Sequence, residues 1–257
     1  MNDCVIKVDG LNTHYGEKQI LVDVSFEVPR NEIFVIIGGS GCGKTTLLKQ
    51  LTGLLKPTSG TILFNDVDVA KMDEDELSMM QRGIGIAFQS GGLFNSMTLG
   101  ENVALPLREY GKVDASLIPS IVRLKLSLVG LGAAEGLMPD ELSGGMKKRA
   151  GLARALALDP PVVYFDEPSA GLDPIMAAGL DTMILDLKRM LGITFVIVTH
   201  ELDSIRTIAD RVLMLDKGRV IFLGTVDEAL KSDNERVHQF FSREADEYMA
   251  ARNVDTT

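Results

Sequence analysis

Residues 38–46 read GGSGCGKTT, and this stretch constrains the rest of the chain more than any other. It follows the apolar run Ile33-Phe34-Val35-Ile36-Ile37, which reads as a buried strand, and opens into Leu47-Leu48-Lys49-Gln50-Leu51, which reads as a helix start. A strand, a glycine-rich turn and a helix N-terminus together make a phosphate cradle, with backbone N–H groups and the helix dipole directed into the turn. Gly38, Gly41 and Gly43 are expected to remove Cβ atoms that would hold phosphate oxygens away. At this spacing Lys44 can reach the β- and γ-phosphates, and the Thr45 hydroxyl can ligate Mg²⁺. Gly39-x-Gly41 falls short of a dinucleotide fingerprint, and Lys44-Thr45 argues for a nucleoside triphosphate.

A chain of 257 residues, 46% hydrophobic and 24% charged, is long enough for a full core and ordinary for a globular protein. Its formal net charge of −10 counts against a nucleic-acid partner, which calls for a basic face. Cys4 and Cys42 are too few and too dispersed for a disulfide framework or a metal site, which suggests a reducing compartment. Cys42 is either a small filler in the phosphate turn or a point where oxidation blocks it. The N-terminus MNDCVIKVDG shows no export signal, and the apolar runs are far short of a membrane span. Work at a membrane would need another chain to hold this one there.

Ile6 and Val8, then Val22, Val24, Phe26 and Val28, alternate with polar residues and read as half-buried antiparallel strands, with a turn at His14-Tyr15-Gly16. Thr61–Phe64 is a further strand, Asp73-x-x-Glu76 reads as a capping box opening a short helix, and Ile84–Phe88 is a strand ending at Gln89. Helical patterns then dominate, over Leu99–Leu107, Ala115–Gly130 and Met146–Leu158, as an insertion of about 90–158. Strand signals return at Val162–Phe165, Phe195–Val198, Val212–Leu215 and Val220–Leu223, alternating with helices at Ile175–Leu191 and Leu202–Ala209. That alternation predicts an α/β fold with a largely parallel sheet covered by helices.

Val162–Phe165 delivers Asp166 and Glu167 at its end, where a parallel sheet places its ligand. Asp166 is placed to hold Mg²⁺ and Glu167 to deprotonate an attacking water, unless the two are solvated acids at a strand end. Phe195–Val198 delivers Thr199 and His200, a histidine that either senses the γ-phosphate or is structural. Gln89 offers an amide oxygen to the metal or the water. Ser143-Gly144-Gly145 at a helix start makes a second anion site, and its first turn carries Lys147, Lys148 and Arg149, where the helix dipole disfavours cations. A bound phosphate would offset that cost; an ordinary glycine-rich cap with solvated cations is the alternative.

Taken together these stretches resemble an ABC-transporter ATPase subunit across residues 5–232, and 233–257 reads as a C-terminal helical extension. Gly38–Thr45 is similar to the Walker A motif, Gln89 to the Q-loop, Leu142–Met146 to the signature, Val162–Glu167 to Walker B, Ser169–Asp173 to the D-loop and His200 to the switch histidine. The resemblance implies a P-loop NTPase (RecA-like) core with an antiparallel β subdomain and an inserted α-helical subdomain. It implies ATP binding by Tyr15, Gly38, Gly39, Ser40, Gly41, Cys42, Gly43, Lys44, Thr45, Thr46, Ser143, Gly144 and Gly145, with Tyr15 stacking on adenine. Metal ligation would fall to Thr45, Gln89 and Asp166, and catalysis to Glu167, His200 and Lys44. Met146 stands where most of the family has Gln, so any role of that glutamine is not carried over.

Leu137–Glu141 ahead of LSGGM, Phe88–Phe94 and Asn102–Glu109 further resemble the ATPases of Mla/MCE-type phospholipid transport systems. The implied assembly is a head-to-tail homodimer, Ser143 of one copy capping ATP on the other. It would sit peripherally on the cytoplasmic face of the inner membrane, against integral membrane permease subunits, with a small regulatory subunit and an MCE-type lipid-binding protein. Leu93, Phe94 and Met97 would receive the permease, or else pack inside the insertion. In the tail, Val237, Phe241, Ala245, Tyr248 and Met249 share a helical stripe that docks on its own domain or on the second copy. Two other functions stay in view. An ABC ATPase without a transport role usually carries two cassettes or a long coiled coil, and a P-loop kinase or GTPase leaves the signature and His200 unexplained.

Overall fold

The computed structural model describes residues 3–242. The chain opens with β1 (Cys4–Tyr15), β2 (Lys18–Pro29), β3 (Ile33–Gly38), α1 (Lys44–Leu51), β4 (Ser59–Phe64), β5 (Val67–Asp68), α2 (Glu74–Arg82) and β6 (Ile84–Ala87). Three helices follow, α3 (Leu99–Tyr110), α4 (Ile118–Leu128) and α5 (Gly144–Ala155). The remainder alternates: β7 (Val162–Asp166), α6 (Pro174–Leu191), β8 (Thr194–Val198), α7 (Leu202–Ile208), β9 (Arg211–Asp216) and β10 (Arg219–Gly224), closing with α8 (Val226–Leu230) and α9 (Glu235–Ser242).

Two sheets result. An antiparallel one has the order β2-β1-β4-β5, and a six-stranded one has the order β10-β9-β3-β8-β7-β6, parallel except for the β9–β10 hairpin. β3 is apolar at every position because both its faces are covered. Ile33, Val35 and Ile37 join Phe165, Phe195 and Leu187 in a core on the helical side, whereas Phe34 and Ile36 join Phe26, Leu47 and Tyr164 in a core under the antiparallel sheet. Phe26 and Phe34 stack with centroids 5.4 Å apart, fastening the two sheets.

Local chemistry sets the element ends. Capping boxes start α2 (Asp73 with Glu76) and α3 (Thr98 with Glu101), satisfying N–H groups that a helix start leaves open. Gly192, at φ 65°, ends α6 in the left-handed conformation glycine adopts cheaply. The turn expected at His14-Tyr15-Gly16 lies slightly later: β1 continues through Tyr15, because Tyr15 pairs with Lys18 in the ladder.

The start of the C-terminal segment docks on its own domain. Val237 and Phe241 of α9 are buried in the helical-side core, and Arg206 Nη2 donates to the Phe241 carbonyl at 2.9 Å. Burying each such side chain is worth about 2 kcal/mol. Ala245, Tyr248 and Met249 lie outside the described residues.

Candidate active site

The parallel register lines up the carboxyl ends of β3, β8 and β7. Ile36 pairs with Val198, and Val198 with Asp166. Gly38, Asp166-Glu167 and Thr199-His200 therefore leave the sheet along one edge, joined by Glu167 N–H donating to Val198 O at 2.8 Å and Thr199 N–H to Ile36 O at 3.3 Å. Gln89 follows β6, three strands from β3, which is about 14 Å at ordinary strand spacing. Gln89 is exposed, and so is Tyr15 at the tip of β1.

The glycine turn is held by packing as well as by conformation. Gly38 sits at φ 147°, and a Cβ there would lie 2.3 Å from the Leu215 carbonyl oxygen and 2.7 Å from Cys42 Sγ. Gly43, at φ 110°, would put its Cβ 2.6 Å from Leu21 Cδ2. Both glycines thus make room for the protein behind the turn, not for phosphate in front of it, which corrects the expectation from the sequence. Gly41, at φ 74°, and Gly39 have open space where a Cβ would go. Gly43 also starts α1 without any side-chain cap, so the first-turn N–H groups are left for a ligand. Cys42 is buried, and burial raises its thiol above the ordinary value while Lys44 opposes the shift. It fills space there. Lys44 Nζ donates to the Gly38 and Gly39 carbonyls at 2.8 and 2.9 Å, folding back over the turn. Ser40 and Thr45 are exposed and Thr46 is half-buried.

Opposite lie the two acids. Burial pushes the Asp166 carboxyl above the usual carboxylate range, the neighbouring Glu167 charge adds to this, and Lys44 opposes it. Glu167 has φ 48°, a left-handed conformation costing a side-chain-bearing residue about 1 kcal/mol. Strain of this kind persists only where the surroundings hold it. Its Oε1 is 2.9 Å from His200 Nδ1, while Oε2 is buried with no hydrogen-bond partner among the described residues. His200 Nε2 lies 3.6 Å from Glu201 Oε1 on the exposed side.

The serine-bearing helix start is only partly what the sequence suggests. Ser143 caps α5 by accepting from Met146 N–H at 3.3 Å, with Gly144 exposed beside it. A Cβ on Gly145 would meet Met176 Cε at 2.7 Å. Two of the three cations near the helix start find protein partners without any phosphate, although Arg149 Nε is buried with no partner among the described residues. Lys148 is buried and donates to the carbonyls of Glu167 and Ala170 at 3.2 and 2.5 Å, and Arg149 Nη1 donates to Val129 O at 3.3 Å. Those side chains turn inward, away from the helix start.

The loop after Gln89 is firmly built. Buried Asn102 accepts from Phe94 N–H at 2.8 Å and donates to the carbonyls of Phe94 and Met97, and Arg154 Nη1 donates to Gly92 O at 2.6 Å. Leu93 packs against the core and Met97 is half-buried, leaving Phe94, 50% exposed, as the outward apolar residue. A groove of about 270 Å³ runs alongside, lined by Arg82, Ile86, Pro106, Tyr110, Arg154 and Leu158. Arg154 does not stand out in the sequence, because the carbonyl it binds lies 62 positions away.

The ABC transporter family matches residues 21–170. Among its relatives, the intermembrane phospholipid transport system ATP-binding protein MlaF of Haemophilus influenzae is 41% identical, covering 96% of this chain and 93% of its own. The probable ribonucleotide transport ATP-binding protein mkl of Mycobacterium leprae is 44% identical over 92% of this chain and 68% of its own length. Among solved structures, cbiO1 of Clostridium perfringens, part of the ABC transporter complex cbiONQ, superposes with a TM-score of 0.84 at 29% identity, covering 98% of this chain and 100% of its own. The dimeric structure of MJ0796, a bacterial ABC transporter cassette, gives 0.78 at 30% identity, covering 86% and 98%. With its glycine turn, acidic strand end and histidine on one sheet edge, and with these relatives spanning nearly all of it, this chain belongs to the ABC transporter family, as one of its ATP-binding subunits.

Proposed function

We propose that this chain hydrolyses ATP to drive phospholipid transport, as a homodimer bound to separate integral membrane permease subunits on the cytoplasmic face of the inner membrane. The observation that carries the hydrolytic reading is the Glu167 carboxylate, one oxygen on His200 and the other buried and uncommitted. A general base for water needs an acceptor oxygen within reach and a partner that orients it. Glu167 is then the base and His200 its orienting partner beside the γ-phosphate. Lys44 exchanges the Gly38 and Gly39 carbonyls for β- and γ-phosphate oxygens. Gly38, Gly39, Ser40, Gly41, Cys42, Gly43, Thr45 and Thr46 cradle the phosphates through backbone N–H groups and hydroxyls, and Tyr15 stacks on adenine. Ser143, Gly144 and Gly145 of one copy close over the nucleotide held by the other.

Mg²⁺ suits this edge. The raised Asp166 carboxyl and the unpartnered Glu167 oxygen mark a spot short of positive charge, and hydroxyl, carboxylate and amide oxygens are the donors Mg²⁺ takes. Thr45, Asp166 and Gln89 would hold it, where it would neutralise phosphate charge.

Phospholipid as cargo is supported by the MlaF relatives' names and their near full-length match. The mkl relatives' name favours a second reading, ribonucleotide. Among the described residues no helix is long and apolar enough to cross a membrane. Phe94 and the adjoining groove are the surface for the permease, and a small regulatory subunit and an MCE-type lipid-binding protein complete the assembly. The test is purification of the complex from detergent-solubilised membranes, followed by lipid analysis and ATPase assay in vesicles. Co-purified phospholipid that stimulates turnover supports the reading. Stimulation by ribonucleotide alone, or capture without any membrane protein, overturns it.

A further inference from the structure

We propose that Lys148, on the helix that Ser143 caps, is a positioning residue that holds the backbone of Glu167 and thereby aims its carboxylate. The inference rests on Glu167 being the base, as argued above. Lys148 lies in the second turn of α5 and is only 5% exposed. Burial lowers its affinity for the proton, countered by the charges of Glu167 and Glu201. A buried cation costs free energy in desolvation and needs a compensating contact. That contact is the pair of carbonyls, Glu167 O at 3.2 Å and Ala170 O at 2.5 Å.

The strained φ of 48° at Glu167 gives the contact its consequence. A left-handed backbone at a residue bearing a side chain relaxes unless it is tied on both sides. On the amino side, Glu167 N–H is bound to Val198 O of β8 at 2.8 Å. On the carboxyl side, the Glu167 carbonyl receives Lys148 at 3.2 Å and, more weakly, Ala170 N–H at 3.4 Å. Release of the lysine leaves only that long bond, so the peptide can rotate and the carboxylate leaves His200, 2.9 Å away. Displacing a reacting group by about an ångström costs on the order of a hundredfold in rate. Ser143 and Lys148 also share one rigid helix, about 7.5 Å apart along its axis. A movement of the serine is therefore transmitted to the turn that carries Glu167.

The experiment compares Lys148→Met and Lys148→Arg in the full-length chain. Lys148→Met keeps the bulk and removes the donors, and Lys148→Arg restores donors to the same carbonyls. Expected is at least a tenfold fall in kcat for Lys148→Met with KM for ATP within threefold, and recovery to within threefold of wild type in Lys148→Arg. In a Glu167→Gln background the methionine costs nothing further. Hydrogen exchange over residues 166–172 reads the tie without turnover and should quicken at least tenfold in Lys148→Met. An unchanged kcat, an arginine no better than methionine, or unchanged exchange overturns the proposal. If Lys148→Met does not fold, Lys148→Gln, with a donor on a shorter arm, is compared with arginine by the same kcat and exchange criteria. Absence of ATP turnover in the wild-type chain would sink the function proposed above, while exchange would still decide the tie.

Discussion

Glu167 Oε1 and His200 Nδ1 lie 2.9 Å apart although 33 residues separate them, because β7 and β8 are adjacent parallel strands that end together. The pair links the acid that follows one strand to the histidine that follows the next. Replacing Glu167 by Gln keeps the shape and removes the proposed base. Such losses typically cost about 10²–10⁴ in rate. Glu167→Gln is expected to bind ATP normally, turn over at that reduced level and accumulate as a dimer in size-exclusion chromatography with ATP. Turnover within tenfold of wild type would assign the base elsewhere.

The glycine turn offers a sharper contrast. Alanine at Gly38 would drive a methyl against the Leu215 carbonyl, so Gly38→Ala should lower stability by roughly 3 kcal/mol or more. Alanine at Gly41 meets open space and carries only the left-handed penalty, about 1 kcal/mol. Denaturant unfolding of the two variants should separate by about 2 kcal/mol, and ATP titration should show the larger affinity loss per unit of lost stability at Gly41.

Asp181 predicts a pH dependence. It is 4% exposed, its Oδ2 accepts from Ser204 Oγ at 2.8 Å, and its Oδ1 has no partner among the described residues. Burial raises its carboxyl above the usual range, against the Ser204 hydrogen bond. The unfolded chain ionises it at about 3.9, so folding opposes ionisation, and this group's contribution to stability falls as pH rises through that value towards the folded one. Asp181→Asn removes the titration. Its Tm relative to wild type should climb as pH rises above about 4 and level off once the folded carboxyl has ionised. A difference flat across that range would mean that Asp181 does not titrate on folding.

Ser143 tests the sandwich. Ser143→Arg places bulk where the second copy would close, at the cost of a helix cap worth about 1 kcal/mol. ATP binding to the single chain should survive, while hydrolysis and the ATP-dependent dimer are lost. Full turnover by a strict monomer carrying this substitution would refute closure between copies.

Much of the architecture is legible in the sequence because it is written in local periodicity. An unbroken apolar run such as Ile33–Ile37 demands cover on both faces, and strands alternating with helices demand a parallel sheet. The capping pair Asp73 and Glu76 is likewise three residues apart and readable by eye. Other features depend on partners distant in the chain. Lys148 looks like a misplaced cation until the carbonyls 19 and 22 residues on are seen around it. Gly38 and Gly43 look like concessions to phosphate until Leu215 and Leu21 appear behind them. Leu93 looks exposed until the helical insertion folds over it.

The sequence alone therefore determined the fold class, the order of the strands and helices and the polar residues at the strand ends, since each follows from spacing along a few neighbouring positions. Only the tertiary structure decided which side chains answer which backbone groups, why the turn needs its glycines, and how the buried acids are placed. Those depend on close packing and desolvation, which arise only when segments far apart in the chain are brought together.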